Sequence, residues 1–134
     1  MKKWARSLVG AFALLAIISG ALLTNYLISV KSYKTAVSKI TFEKQNILNI
    51  ADGSYTGECD VQFIYAKVKV LVKDHRIADI QLLEHRNGRG AAAESILKNM
   101  IDTQIIDVDV VAGATNSSKV IKKAVDNALS SAPQ

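Results

Sequence analysis

The chain has 134 residues, a formal net charge of +5 and a single cysteine. Lys2, Lys3 and Arg6 supply three of its 17 basic residues, so the rest of the chain carries 14 basic against 12 acidic residues, too even a balance for a nucleic-acid-binding protein. The single Cys59 excludes an internal disulfide, and the two histidines lack the cysteine and carboxylate spacing of a metal site. No serine, histidine and aspartate arrangement with a nucleophile elbow is present, so we expect no catalysis by side chains alone.

The N-terminal region begins with a short basic stretch and continues from Ser7 to Val30 as an almost unbroken apolar run without charged residues. At about 1.5 Å per residue in a helix, a run of this length crosses a hydrocarbon core of roughly 30 Å. A cleaved signal peptide and a retained signal anchor are the two interpretations, and the long run without a small-residue cleavage site favours the anchor. We therefore predict a single-pass anchor over residues 1–30 that contacts membrane lipid.

The residues after the anchor predict a helical stalk over residues 31–51. Its apolar residues recur at spacings of three and four, namely Val30, Tyr33, Val37 and Ile40. Because lysines lie on both sides of the apolar run, the charge bias alone does not choose the side of the membrane on which the stalk emerges. The Asp52-Gly53 pair marks the turn at which the globular part, residues 52–134, begins.

From Ser54 onwards, apolar and polar residues alternate as they do in strands that bury one face. This pattern predicts a short strand around residues 55–57, a longer one over 61–73 and a returning one over 77–83. Together they form an antiparallel meander with one lysine-rich face in water.

Two amphipathic helices are predicted after the strands. The first runs over residues 92–104, and its apolar face is formed by Ile96, Leu97, Met100 and Ile101. The second is C-terminal, and its apolar stripe is formed by Val120, Ile121, Ala124, Val125, Ala128 and Leu129. Its charged and amide residues are expected on the opposite face: Lys119, Lys122, Lys123, Asp126 and Asn127. The predicted fold is α+β, a small antiparallel sheet packed by two amphipathic helices and preceded by one transmembrane helix and a helical stalk.

The loop predicted over residues 84–90 is basic and rich in glycine. Its candidate ligand-binding residues are His85, Arg86, Gly88, Arg89 and Gly90. The glycines allow tight turns, and a cation near a bound cofactor stabilises its anionic form. A solvated surface loop in which His85 caps a strand end is the alternative.

A small, hydroxyl-rich turn leads into the C-terminal helix. Gly113 and Ala114 add little bulk, so the backbone here can approach a ligand closely. They are followed by four hydroxyl or amide side chains: Thr115, Asn116, Ser117 and Ser118. The first N–H groups of a helix have no intrahelical partner and carry partial positive charge, so the turn suits a phosphate. The ordinary alternative is a helix N-cap formed by one of these side chains.

The run from Asp109 to Ser118 resembles the flavinylation motif of the FMN-binding domain family, which includes flavin subunits of the sodium-translocating NADH:quinone reductase and of ferredoxin:NAD oxidoreductase complexes. The segment from Asp52 to Gly57 is similar to the opening signature of that family. In the family, the threonine of Gly-Ala-Thr carries FMN through a phosphoester bond installed by a flavin transferase. The resemblance therefore implies FMN at Thr115 and recognition by the transferase at Asp109.

The resemblance also implies a function, that of a membrane-anchored FMN-binding domain which passes electrons to a membrane or extracytoplasmic redox partner. It places the domain outside the cytoplasm. The sequence departs from the family at Ala112, where serine is common, and at His75, in a turn that usually holds glycine. The alternative is a membrane-tethered binding or adaptor module with noncovalent flavin or none.

Overall fold

The computed structural model describes residues 3–42 and 46–133, and the chain divides into two units, Met1–Thr35 and Ala36–Gln134. The first unit consists of helix α1 (Lys3–Ser38) up to residue 35. The large apolar side chains of this unit are exposed, as in a helix that faces lipid. Within the described residues, α1 is the one helix long and apolar enough to span a membrane.

The α-helix ends at Ser38, before the end of the stalk predicted over residues 31–51. A short 3₁₀ helix follows at Ile47–Asn49, where the side chain of Asn46 accepts a hydrogen bond from the N–H of Leu48. The part of the predicted stalk at residues 43–45 lies outside the described residues.

The sheet has three antiparallel strands in the order β1 (Gly53–Asp60), β2 (Tyr65–Lys73) and β3 (Arg76–Arg86). Alternate residues of β2 are at most 1% exposed and form the inner face: Ala66, Val68, Val70 and Val72. The lysines of β2 lie between them on the outer face, because successive side chains of a strand point to opposite sides. The predicted antiparallel meander is confirmed.

The turn between β2 and β3 is held by a carboxylate from the start of β1. Asp74 and His75 have positive φ angles of 52° and 56°, so this is a left-handed two-residue turn in which glycine is favoured. The Asp52 carboxylate accepts the N–H groups of both residues at 2.9 and 3.1 Å. These two hydrogen bonds lower the pKa of Asp52. His75 therefore occupies a strained left-handed position, in the turn where the resemblance stated above leads us to expect glycine.

Two α-helices cover the inner face of the sheet. A 3₁₀ turn at Ala91–Ser95 leads into α2 (Ile96–Thr103), so the first turn of the helix predicted over residues 92–104 is tighter than an α-helix. The last helix, α3 (Thr115–Ser130), lies against β1 and β2. All six residues of its predicted apolar stripe are at most 1% exposed, which confirms the stripe.

Gly57 allows α3 to lie directly on β1. A Cβ atom at this position would be 2.2 Å from the carbonyl oxygen of Ala124 and 2.3 Å from the amide nitrogen of Ala128. At the same contact, the side-chain amide of Asn127 donates to the carbonyl oxygen of Glu58 at 2.8 Å. The position of α3, and of the turn that precedes it, is therefore set by backbone contact with the sheet.

The prediction that all charged residues of α3 face solvent is wrong at two positions. Lys122 is 4% exposed and Asp126 is fully buried. Lys122 is covered by the segment that connects α2 to α3, and Asp126 accepts a hydrogen bond from Lys123 Nζ at 2.6 Å. The helix buries more of its circumference than its apolar stripe indicates, because it packs against both the sheet and this connecting segment.

Candidate functional site

The N-terminus of α3 has no side-chain cap. The helix begins at Thr115, and its N-cap residue is Ala114, whose side chain makes no capping hydrogen bond. The alternative interpretation of the hydroxyl-rich run as an ordinary N-cap is therefore wrong. The first N–H groups of an uncapped helix end lack intrahelical acceptors, so their partial positive charge is available to an anion.

Burial distinguishes the three hydroxyls of this run. Ser117 is 2% exposed and Ser118 is fully buried, whereas Thr115 is exposed on the first turn. The Ser118 hydroxyl donates to the carbonyl oxygen of Ala114 at 2.9 Å and accepts the N–H of Val111 at 3.1 Å. Ser118 thus braces the turn from inside, and the hydroxyl offered to solvent is that of Thr115. The amide side chain of Asn116 is exposed beside it.

The turn before Thr115 is tight on its inner side and open on its outer side. Gly113 has a φ of 80°, a conformation that favours glycine, and nothing lies within 4 Å of where its Cβ would be. The N–H of Ala114 donates to the carbonyl oxygen of Val111 at 3.0 Å. Asp109 and Ala112 are exposed on the same segment. The turn is therefore accessible to a ligand or an enzyme from its outer side.

Two further side chains, neither predicted as site residues, hold the segment that leads into this turn. The side-chain amide of Gln104 pairs with β3 as a neighbouring strand would, bonding the N–H and the carbonyl oxygen of Ile77 at 2.8 and 2.9 Å. Lys122 Nζ donates to the carboxylate of Asp107 and, at 2.8 Å, to the carbonyl oxygen of Val108. The position of Lys122 beside the apolar stripe of α3 is a sequence signal for the lysine contact, but no sequence pattern indicated the pairing of Gln104 with Ile77.

The glycine loop reaches the first turn of α3. Strand β3 extends through Arg86, so the loop predicted over residues 84–90 begins only at Asn87. A Cβ atom at Gly90 would be 1.8 Å from Ser117 Oγ, which shows how closely the loop packs on the helix. Gly88 and Arg89 are exposed next to this contact. The fold therefore brings the predicted residues 88–90 to the turn that carries Thr115.

His85 supports this loop from inside. Its side chain is 3% exposed and its Nδ1 lies 2.9 Å from a carboxylate oxygen of Glu94. Asn87 links it to the glycine contact, because its amide nitrogen lies 3.2 Å from the same Nδ1 and its amide oxygen accepts the N–H of Gly90 at 3.0 Å. The Nε2 atom of His85 is buried and has no hydrogen-bond partner among the described residues. This polar atom is available to a ligand that enters beside the loop.

Arg86 is not brought to this site. Its partner in β2 is Tyr65, on the outer face of the sheet, whereas α3 covers the inner face. The guanidinium lies 3.2 Å from the Asp60 carboxylate, donates to the carbonyl oxygen of Gln62 and lies 5.6 Å from the Tyr65 ring centroid. Arg86 and His85 are adjacent in sequence but point to opposite sides of β3.

A cleft of about 220 Å³ lies at the other end of β3. It is lined by Asn46, Ile47, Leu48, His75, Arg76 and Gln104. None of the predicted ligand-binding residues lines it.

The family model of the FMN-binding domain matches residues 62–130, which are 69 of the 134 residues of the chain. The chain belongs to the FMN-binding domain family. No curated protein matches it. FMN is therefore the cofactor of this domain, and the FMN-binding match ends at the last residue of α3.

The residues around Thr115 fit the cofactor of the FMN-binding domain family. The uncapped end of α3 suits the FMN phosphate, and the open side of Gly113 leaves space for it. The buried Nε2 of His85, near the end of β3, offers a polar partner to the flavin beside the loop whose Gly90 contacts Ser117. Within the described residues, no group of three or more histidine, cysteine or acidic side chains is placed to hold a metal ion.

Proposed function

We propose that this FMN-binding domain carries its FMN on Thr115 through a phosphoester bond and acts as an electron-transfer flavoprotein. The observation that carries the proposal is the exposure of the hydroxyls. Thr115 is exposed, whereas Ser117 and Ser118 are buried, so a modifying enzyme reaches one hydroxyl of the run and not the other two. Thr115 is also the residue that matches the attachment position of the family.

The attachment is a phosphoryl transfer. Thr115 Oγ attacks the phosphorus of an activated flavin phosphate, a phosphoanhydride such as a flavin dinucleotide. The new O–P bond forms as the anhydride P–O bond breaks, the nucleotide monophosphate leaves, and the hydroxyl proton passes to a base of the flavin transferase. No electron is transferred in this step. The uncapped end of α3 stabilises the negative charge of the phosphate both during the transfer and afterwards.

The bound FMN supplies the redox chemistry, and the protein binds and orients it. Gly113 gives the backbone its turn, and Gly90 holds the glycine loop on the first turn of α3. Arg89 is exposed on that loop and places a cation near the flavin or its phosphate. His85, fixed by Glu94, presents its free Nε2 from the inner side.

Helix α1 anchors the protein in the membrane, and the domain lies on the extracytoplasmic side. It meets its redox partner on that side or in the membrane. The exposed apolar surface of the unit up to Thr35 supports the anchor. Protease added to sealed spheroplasts should remove the domain after α1. Protection of the domain until the membrane is broken would place it in the cytoplasm instead.

The test of the attachment compares three proteins, each co-expressed with a flavin transferase: the parent, Thr115→Val and Ser117→Ala. We expect flavin fluorescence that survives denaturation in SDS in the parent and in Ser117→Ala, and none in Thr115→Val. Valine keeps the branched shape of threonine and removes only an exposed hydroxyl, so folding should be retained. Ser117→Ala is the matched control because it removes a buried hydroxyl from the same turn of the helix.

Two results would contradict the proposal in different ways. Fluorescence that persists in Thr115→Val would move the attachment to another residue. A parent protein that binds FMN but releases it in SDS would show noncovalent binding. Ala112→Ser, which introduces the serine that is common in the family, would then be the first substitution to test. A colourless parent would favour the adaptor function without flavin.

A further inference from the structure

Lys122 is a buried cation whose partners all lie outside its own helix. Its side chain is 5% exposed, and its ammonium group donates to the Asp107 carboxylate and to the carbonyl oxygen of Val108 at 2.8 Å. The Phe42 ring centroid lies 4.7 Å from the same nitrogen and covers it by a cation–π contact. Three separate groups from two parts of the chain therefore converge on one lysine of α3.

This arrangement is not needed to bury apolar surface. Taking an ammonium group out of water is costly, and apolar residues of similar size often replace buried ion pairs without loss of stability. The Asp107 side chain is 68% exposed and is solvated without the lysine. What the lysine adds is a fixed position for the backbone at Asp107 and Val108.

That position matters because the next residue is Asp109. Ser118, also on α3, holds Val111 on the other side of Asp109 through its N–H. The exposed residues 109–110 therefore lie between two contacts with side chains of α3, one from Lys122 to Val108 and one from Ser118 to Val111. The same helix carries Thr115 at its start. The side chains of α3 thus set the distance between the Asp109 carboxylate and the Thr115 hydroxyl.

We propose that Lys122 is a positioning residue, which fixes Asp109 relative to Thr115 so that the flavin transferase meets both groups in one arrangement. The proposal rests on the function proposed above. It assigns to Lys122 no contact with the flavin or with the transferase. Its effect passes through Asp107 and Val108, which the lysine holds from the inner side of the segment.

The experiment uses the full-length protein in detergent and measures two quantities. The first is the rate at which a flavin transferase attaches flavin. The second is hydrogen exchange at the amides of Val108 and Val111, which donate to Ile106 and Ser118 and so report on the segment itself. In Lys122→Met we expect about tenfold slower attachment and about tenfold faster exchange at Val108, which correspond to about 1.4 kcal/mol each. Amides of β2 should exchange at the parent rate.

Two companion variants separate positioning from folding. Lys98→Met removes a lysine whose side chain is 79% exposed on α2, and should leave both quantities unchanged. Lys122→Arg retains a cation and should recover most of the attachment rate. If Lys122→Met does not fold, Asp107→Asn removes the ionic acceptor at an exposed position and should shift both quantities in the same direction by a smaller factor.

Unchanged exchange at Val108 and Val111 in folded Lys122→Met would overturn the proposal, as would faster exchange with an unchanged attachment rate. A parent protein that takes up no covalent flavin refutes the attachment at Thr115, but not the proposal that Lys122 holds the segment at Asp107 and Val108. Hydrogen exchange then tests that proposal alone: faster exchange in Lys122→Met supports it, and unchanged exchange refutes it.

Discussion

Gly90→Ala tests whether the glycine loop is packed on α3 as tightly as the structure indicates. The backbone at Gly90 has φ −98° and ψ 9°, a conformation that alanine adopts, so the substitution introduces no backbone strain. The added Cβ would lie 1.8 Å from Ser117 Oγ and 2.5 Å from Ser117 Cβ. Because carbon atoms in contact are normally about 3.5–4.0 Å apart, the loop and the helix must separate by about 1–1.5 Å.

The expected loss is about 2–3 kcal/mol in the free energy of unfolding. Overpacking a well-packed contact typically costs about 1–3 kcal/mol. A loop that moves away from Ser117 also weakens the hydrogen bond from the Gly90 N–H to Asn87, whose net contribution is about 0.5–1.5 kcal/mol. With a urea dependence of about 1–1.5 kcal/mol per molar for a domain of this size, the unfolding midpoint should fall by about 2 M.

The single cysteine provides the assay. Cys59 lies in β1 and is partly buried, and burial raises the pKa of its thiol, so it reacts slowly in the folded domain. Short pulses of a thiol reagent at increasing urea concentration therefore report unfolding of the domain without interference from α1. Gly88→Ala is the matched control, since nothing lies within 4 Å of the added Cβ. Its unfolding free energy should change by no more than about 0.5 kcal/mol.

A double variant identifies the cause of the loss. Ser117→Gly removes the Oγ and Cβ atoms with which the new methyl group would clash, so Gly90→Ala combined with Ser117→Gly should be less destabilised than the sum of the single variants by at least about 1 kcal/mol. Equal midpoints for Gly90→Ala and Gly88→Ala would refute the close contact. Strict additivity in the double variant would attribute the loss to something other than Ser117.

Two predictions concern the turn between β2 and β3, measured with the same Cys59 assay. His75→Gly should raise the unfolding free energy by about 0.5–1 kcal/mol, because it relieves the strain of the left-handed backbone at this position. We expect this gain to exceed two losses, the backbone entropy of glycine and the contact of His75 Nδ1 with the Ile50 carbonyl oxygen. A lower urea midpoint in His75→Gly would show that the lost contact dominates. The pKa of Asp52 is lowered in the folded state by the N–H groups of Asp74 and His75, so its contribution is complete above the unfolded pKa of about 3.9 and is lost as the pH falls through the folded value. Asp52→Asn should therefore flatten the decline in stability below about pH 4, and parallel acid limbs in the two proteins would contradict this account.

The sequence by itself determined the elements whose signal is a local period. The alternation in β2 was predicted within the range 61–73, and the apolar stripe of α3 was predicted residue by residue. Both followed because a strand or a helix that buries one face repeats its apolar residues at that element's own spacing. The apolar run at the N-terminus predicted α1 for the same kind of reason, since length and composition alone decide whether a helix is able to span a membrane. The resemblance to the family motif predicted FMN, which the family match confirms, and named Thr115 as its attachment residue, which stays a prediction.

Only the tertiary structure decided which members of each motif meet. His85 and Arg86 looked alike as neighbours in a basic loop, but the extra residues of β3 place them on opposite faces of the sheet. Only His85 is linked, through Asn87, to the glycine that packs on α3. Thr115 and Ser117 were equivalent hydroxyls in sequence and differ in burial because Gly90 packs on one of them. Lys122 was expected in solvent and is buried because a segment from elsewhere in the chain covers it. Side-chain exposure is set by contacts between residues distant in sequence, and no local period records them.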